Sequence, residues 1–134
     1  AQGGLMMDNS VLEVKNILDQ ANYDWLSECY VNYLPKSAQD DTSRTIALVT
    51  SIREEPIQYG NNVFNGIENA VQVQIFFKYQ FKDSIQKNDI KIMQLFLKNG
   101  WKIDDSKPIY ADPDTKQLVK VFYFTQKNYI GGSY

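Results

Sequence analysis

Few side chains in this sequence are suited to acid–base, nucleophilic or metal chemistry. Its 134 residues include no histidine and a single cysteine, Cys29. Without imidazole the chain lacks the commonest general base and metal ligand, and no Ser-His-Asp triad can form. Cys29 lies in a predicted strand with no histidine to activate it, as expected of a buried core residue. We therefore expect no catalytic residue, no metal site and no cofactor.

Acidic residues are the remaining candidates for chemistry. They occur as the pairs Asp40-Asp41, Glu54-Glu55 and Asp104-Asp105, and Asp112 and Asp114 flank a proline. Carboxylates can hold Ca²⁺ or Mg²⁺, and two of them can hydrolyse a glycoside. However, no group has EF-hand spacing, and Asp112 and Asp114 have a sufficient role in a turn. A hydrolase that uses Asp104, Asp105, Asp112 and Asp114 is the least favoured alternative.

Composition restricts the function classes further. The 14 basic and 16 acidic residues give a net charge of −2 and form no basic stripe, so we expect no specific nucleic-acid binding. No segment approaches the ~20 apolar residues of a membrane span, and the glycines lack phosphate-loop spacing. One cysteine cannot form an intramolecular disulfide, which favours a reducing compartment. Residues 1–6 are interpreted as an artificial extension, with Met6 or Met7 as the natural start, and residues 7–134 as one domain.

Two helices are predicted from apolar residues that recur at three- and four-residue steps. The first begins with a capping box of Ser10 and Glu13 and ends near Ala21 or Asn22. The second begins with a capping pair of Asp83 and Gln86 and ends at Asn99-Gly100.

Strands are predicted where residues alternate or where β-branched and aromatic residues cluster. They cover 28–36, 45–52, 70–78 and 101–103, and a hairpin covers 107–127 with Pro113-Asp114 at its turn. The segment 36–44 is predicted to be a polar loop. This order of elements indicates an α+β domain of two layers, in which an antiparallel or mixed β-sheet carries both helices on one face.

The segment between the second and third strands is unusually long and asparagine-rich. It contains "YGNNVFNG", Tyr59 to Gly66, within seventeen residues, 53–69, and unstructured loops beyond ~12 to 15 residues are uncommon in compact domains. We call residues 53–69 the arm. Val63, Phe64 and Ile67 give it apolar anchors, which either pack on the domain's own core or dock into a neighbouring subunit.

Three aromatic residues are predicted on strand faces opposite their strands' other apolar residues: Phe76, Phe122 and Phe124. Either helices cover that face, or it contacts a partner.

Three phrases in the sequence resemble a known family: "YVNYLPK" from Tyr30, "QYGNNVFNGIENAVQVQIFFK" from Gln58, and "NGWKIDDSKPIYADPDTKQLVKVFYF" from Asn99. They look like the small minor tail proteins of tailed bacteriophages and prophages of Gram-positive bacteria. The resemblance runs from Ser10 to Lys127, and the order of elements is also similar to that of tail-terminator (tail-completion) proteins of long-tailed phages.

The resemblance implies a structural subunit of the virion tail, assembled in the cytoplasm of the host bacterium. Such a subunit forms a ring, commonly of six copies, between the tail tube protein and the head-completion protein. In those rings a loop between two strands projects from the sheet, at the position of Tyr59 to Gly66. The predicted contact residues are Tyr59, Asn61, Asn62, Val63, Phe64, Asn65, Phe76, Phe122 and Phe124. An adaptor that binds a host protein through the same surface is the main alternative.

Overall fold

The computed structural model describes residues 9–129, apart from the side chains of Asn9, Gln58 and Tyr59. The predicted artificial extension, residues 1–6, therefore lies outside the described residues. The elements are α1 (Asn9–Ala21), β1 (Glu28–Val31), α2 (Lys36–Gln39), β2 (Ile46–Gly60), β3 (Val63–Phe76), α3 (Ile85–Lys98), β4 (Lys102–Ser106), β5 (Tyr110–Ala111) and β6 (Leu118–Tyr129).

The strands form one mixed sheet in the order β1-β2-β3-β6-β4, with β5 also paired to β6. Strand β1 runs parallel to β2, and the other neighbours are antiparallel. A parallel pair needs a crossover connection, and part of that connection is the single turn of α2. The prediction of an irregular loop over 36–44 was wrong at this turn.

Helices α1 and α3 pack on one face of the sheet, which we call the helix face, and this confirms the predicted α+β class. Strand β3 alternates as predicted, because Val71, Val73 and Ile75 are completely buried beneath the helices while Gln72 and Gln74 are half-buried on the other side. We call that other side the open face. From α3, Phe96 stacks on Phe124 of β6, with ring centroids 4.1 Å apart.

The helix ends agree with the predictions at some residues and differ at others. The N-cap of α3 is Ser84, whose hydroxyl accepts a hydrogen bond from the Lys87 amide, so the predicted cap at Asp83 was one residue early. The Asp83 carboxylate instead accepts from the Ser84 amide. The predicted stop is confirmed, since Asn99 is the C-cap and Gly100 has a φ of +87°.

The arm is not a loop. Strands β2 and β3 stay paired as far as Gly60 and Val63 and are joined by Asn61-Asn62 alone. Both asparagines have a positive φ, as a two-residue type I′ hairpin turn requires. Pro56 does not end β2, because it lies where that strand is paired on one side only, and a missing N–H is tolerated at an edge.

Candidate interaction surface

The end of the arm projects beyond the helix layer. Within the described residues, which end at Tyr129, strand β6 accompanies β3 as far as the pair Gly66–Tyr129. On the helix face of the arm, Pro56 is exposed and Val63 is 57% exposed, so neither α1 nor α3 covers it. The arm therefore presents both of its faces to its surroundings, which is unusual for a segment with apolar side chains.

The open face of the arm carries a cluster of apolar side chains around Gly66. A Cβ atom at Gly66 would lie 3.1 Å from Cγ1 of Ile57 and 3.2 Å from Cδ1 of Tyr129, so these two side chains close over the glycine. Phe64 lies on the same face two residues along β3 and is 40% exposed, and Tyr129 is 59% exposed. We call Ile57, Phe64, Gly66 and Tyr129 the arm cluster.

The base of the arm is tied to the rest of the domain. The Trp101 indole N–H donates to the Glu13 carboxylate of α1 at 3.0 Å, and the Gln126 amide lies 3.5 Å from the same oxygen. Farther along the arm, Arg53 pairs with Glu68 at 3.3 Å across β2 and β3. The first two contacts join α1 and the start of β4 to β6, whose Gln126 pairs with Asn69 at the base of the arm. The third joins the two strands of the arm to each other.

The structure divides the predicted contact residues into three groups. Asn61 and Asn62 form the exposed turn, and Val63, Phe64 and Asn65 are exposed beside it. The backbone of Tyr59 pairs with Phe64, while its side chain lies outside the described atoms.

The other three predicted contact residues lie elsewhere. Phe122 and Phe124 are completely buried in the core, because β6 turns them toward the helices. They are therefore removed from the predicted contact surface. Phe76 is half-buried on the open face, at the end of β3 opposite the arm.

A cavity of about 300 Å³ lies beside Phe76 on the open face. We call it the basal cavity. Its apolar lining consists of Leu34, Ala38, Ile46 and Phe76, and its polar lining of Gln39, Asp40, Asp112, Asp114, Thr115 and Gln117. The turn that contains Asp112 is closed by hydrogen bonds, since the Asp112 carboxylate accepts the amides of Asp114 and Thr115 at 2.8 and 3.0 Å. These bonds hold the pKa of Asp112 below its usual range.

Two of the four carboxylates considered for hydrolysis, those of Asp105 and Asp112, have structural partners. Asp105 pairs with Lys107 at 2.7 Å, which lowers the pKa of Asp105, and Asp112 is engaged in its turn. Over residues 9–129, no three acidic or thiol side chains are grouped so that they could hold a metal ion. Burial raises the pKa of Cys29 to about 12, so its thiol stays protonated and is a poor nucleophile.

Sequence reasoning missed one buried charged pair. Asp89 of α3 and Lys120 of β6 are 5% and 8% exposed, with 3.9 Å between the carboxylate oxygen and Nζ. Burial raises the pKa of Asp89 to about 6, against the opposing effect of Lys120. Lys120 also donates to the Lys107 carbonyl. The pair joins α3 to β6, and its polar residues carry no apolar periodicity that would have marked them as buried.

Comparison with known proteins places the chain in a family without placing it in a functional class. The model of a family described as "Protein of unknown function (DUF806)" matches residues 9–129. No curated protein matches the chain. None of the helices within the described range is both long and apolar enough to cross a membrane.

Proposed function

The chain belongs to the DUF806 family, and we propose that it is a structural subunit of a bacteriophage or prophage tail. Its role is that of the tail terminator or a close neighbour at the head–tail joint. It acts by self-association into a ring and by docking to the tail tube and head-completion proteins, without turning over a substrate.

The projecting arm is the observation that carries this proposal. A domain of this size has no need of a paired hairpin that extends past its helix layer, because the arm's exposed residues add little to the core. Phe64 and Tyr129 keep 40% and 59% of their surface exposed although both are aromatic. Aromatic residues in such positions are typical anchors of protein–protein interfaces.

The resemblance to minor tail proteins supports the same proposal from the sequence. One of the matching phrases, from Gln58 to Lys78, covers the end of β2, the turn and all of β3. In tail-terminator rings a connection between two strands projects from the sheet, and here the corresponding segment is the arm. In a ring, every subunit takes part in two interfaces, and all the interfaces together hold the closed assembly. A modest contact between each pair of neighbouring subunits is therefore enough to stabilise the ring.

Phe64 is the residue whose removal tests the proposal. We expect Phe64→Ala to leave the fold intact and to weaken self-association by roughly 30-fold, the loss of one interface anchor of about 2 kcal/mol. Leu97→Ala is the matched control, because Leu97 is 54% exposed and belongs to α3 rather than to the arm. Sedimentation velocity over a wide concentration range, with and without the tail tube protein, measures both.

The outcomes separate the proposal from its alternatives. If wild type forms oligomers, and Phe64→Ala weakens its self-association while Leu97→Ala does not, the result supports the proposal of a tail subunit. A chain that stays monomeric at every concentration, also beside the tail proteins, contradicts it. A monomer that binds one host protein favours an adaptor instead.

A further inference from the structure

We propose that the basal cavity of one copy receives the arm tip of a second copy of this chain. The arm tip is defined as residues 60–65, which include the Asn61-Asn62 turn. This inference rests on the proposed function and deepens it, because it names the two surfaces that meet in the assembly.

The size and lining of the basal cavity fit an apolar side chain. Its volume of about 300 Å³ is twice the ~150 Å³ that holds a benzene molecule in an engineered protein cavity. The basal cavity therefore has room for one phenyl ring. Phe64 is 40% exposed and is the side chain that enters the cavity, while Val63, 57% exposed on the other face of the strand, lies at its mouth.

The polar groups of the two surfaces are complementary. Asp40, Asp112 and Asp114 line the basal cavity, and carboxylates accept hydrogen bonds without donating any. The arm tip, Gly-Asn-Asn-Val-Phe-Asn, carries no charge. Its three asparagine amides each offer two N–H donors. An acidic tip would be repelled by these carboxylates. Amide donors can bond their second oxygens, because the turn bonds of Asp112 and the Lys36–Asp40 ion pair each use only one.

The positions of the two surfaces produce a chain of contacts that continues from copy to copy. Ile46, at the first residue of β2, lines the basal cavity, and Gly60, at the last residue, belongs to the arm tip. Fifteen residues of extended strand separate the two ends by about 45–50 Å. Because the donor and the receiving surface are different, the contact is heterologous and generates a ring when its rotation closes.

Strand pairing between copies is a less suitable way to assemble. Strand β2 has a register shift between Ser51 and Arg53 and then Pro56, and the opposite edge has a shift between Ile103 and Asp105 and then Pro108. Bulges and prolines on edge strands oppose the addition of another strand. Side-chain docking of the arm tip does not need a free strand edge.

A change of charge at the arm tip tests this contact. Asn62→Asp keeps a residue that tolerates the left-handed turn and places a carboxylate on the arm tip that meets the acidic lining of the basal cavity, which includes Asp114. We expect self-association to weaken about fivefold at low ionic strength and to recover to within about twofold of wild type when Asp114→Lys is added. Asn16→Asp, on the exposed side of α1, is the control and should have no effect.

A covalent link gives a second, independent measurement. Val63→Cys combined with Thr115→Cys should form disulfide-linked dimers and longer ladders under mild oxidation, because Thr115 lines the basal cavity. Val63→Cys combined with Lys98→Cys, at the end of α3, should not. The buried thiol of Cys29 does not compete.

The possible failures are distinguishable. If Phe64→Ala weakens self-association while Asn62→Asp has no effect and no ladder forms, the arm docks elsewhere. The proposed docking of the arm tip into the basal cavity is then wrong, whereas the proposal of a tail subunit is unaffected. If no variant and no wild-type sample self-associates, both proposals fail.

Discussion

Replacing Phe124 by alanine separates the core from the contact surface most clearly. Sequence reasoning placed Phe124 on a surface for partners, whereas the structure buries it completely, stacked on Phe96 at 4.1 Å and on Phe122 at 5.5 Å. We expect Phe124→Ala to destabilise the fold and Phe64→Ala, on the arm, to leave it nearly unchanged.

The magnitude follows from burial. A fully buried phenylalanine replaced by alanine loses about 3–5 kcal/mol of the free energy of unfolding, because apolar contact is lost and a cavity remains. For a chain of this length the unfolding entropy converts that loss into a drop in Tm of about 10–18 °C. Phe64→Ala removes a ring that is already 40% exposed and lies outside the core. Its cost should stay below about 1 kcal/mol.

Thermal unfolding followed by circular dichroism measures both variants, at a protein concentration at which wild type is monomeric. Phe124→Leu is a further control and should lose only about 1–1.5 kcal/mol, since most of the volume is kept. A drop in Tm of less than about 3 °C for Phe124→Ala would contradict the buried position of this ring. A larger drop for Phe64→Ala than for Phe124→Ala would show that the arm belongs to the core.

Three further predictions concern buried groups. Burial raises the pKa of Asp89 to about 6, so the folded chain binds more protons than the unfolded chain between about pH 4 and 6, and stability falls as pH rises through that window. In urea titrations, the stability of wild type minus that of Asp89→Asn should therefore fall by roughly 1–3 kcal/mol from pH 4 to pH 7, and a flat difference would contradict this. Trp101→Phe should cost about 1–3 kcal/mol, because the indole N–H loses its bond to Glu13, whereas Glu13→Gln keeps an acceptor and should cost less than about 1 kcal/mol. Burial also raises the pKa of Cys29 to about 12, so a thiol reagent at pH 8 should modify Cys29 only after unfolding, and rapid modification of the folded chain would refute its buried position.

The elements with strong periodicity could be predicted from the sequence. Alternation along 70–78 and the apolar stripe of the second helix gave β3 and α3 with their buried faces. In β6, by contrast, valines and phenylalanines occupy both faces, so the pattern could not show which face meets the helices. The register with β3, which sets Phe122 and Phe124 opposite buried valines, and the packing of Phe124 against Phe96 turn both rings inward.

The arm shows a different limit of predicting structure from sequence. Pro56, glycines and asparagines are loop formers, and they suggested that β2 ended before them. The pairing of β2 with β3 overrides that local preference. An edge strand tolerates a proline, and Asn61 and Asn62 alone suffice for the turn. The exposed residues of the arm tip were identifiable from the sequence. The basal cavity was not, since it brings together Leu34, residues 38–40, Ile46, Phe76 and the turn before β6.

In the proposed function, the arm holds copies of this chain together. Sedimentation of a variant in which residues 58–65 are replaced by Asn-Gly tests this most directly, because a tight turn then joins Ile57 to Gly66. We expect this variant to keep the thermal stability of wild type to within a few degrees and to remain monomeric at concentrations at which wild type, alone or with the tail tube protein, forms larger assemblies. Assemblies of the same size and concentration dependence as those of wild type would contradict the claim.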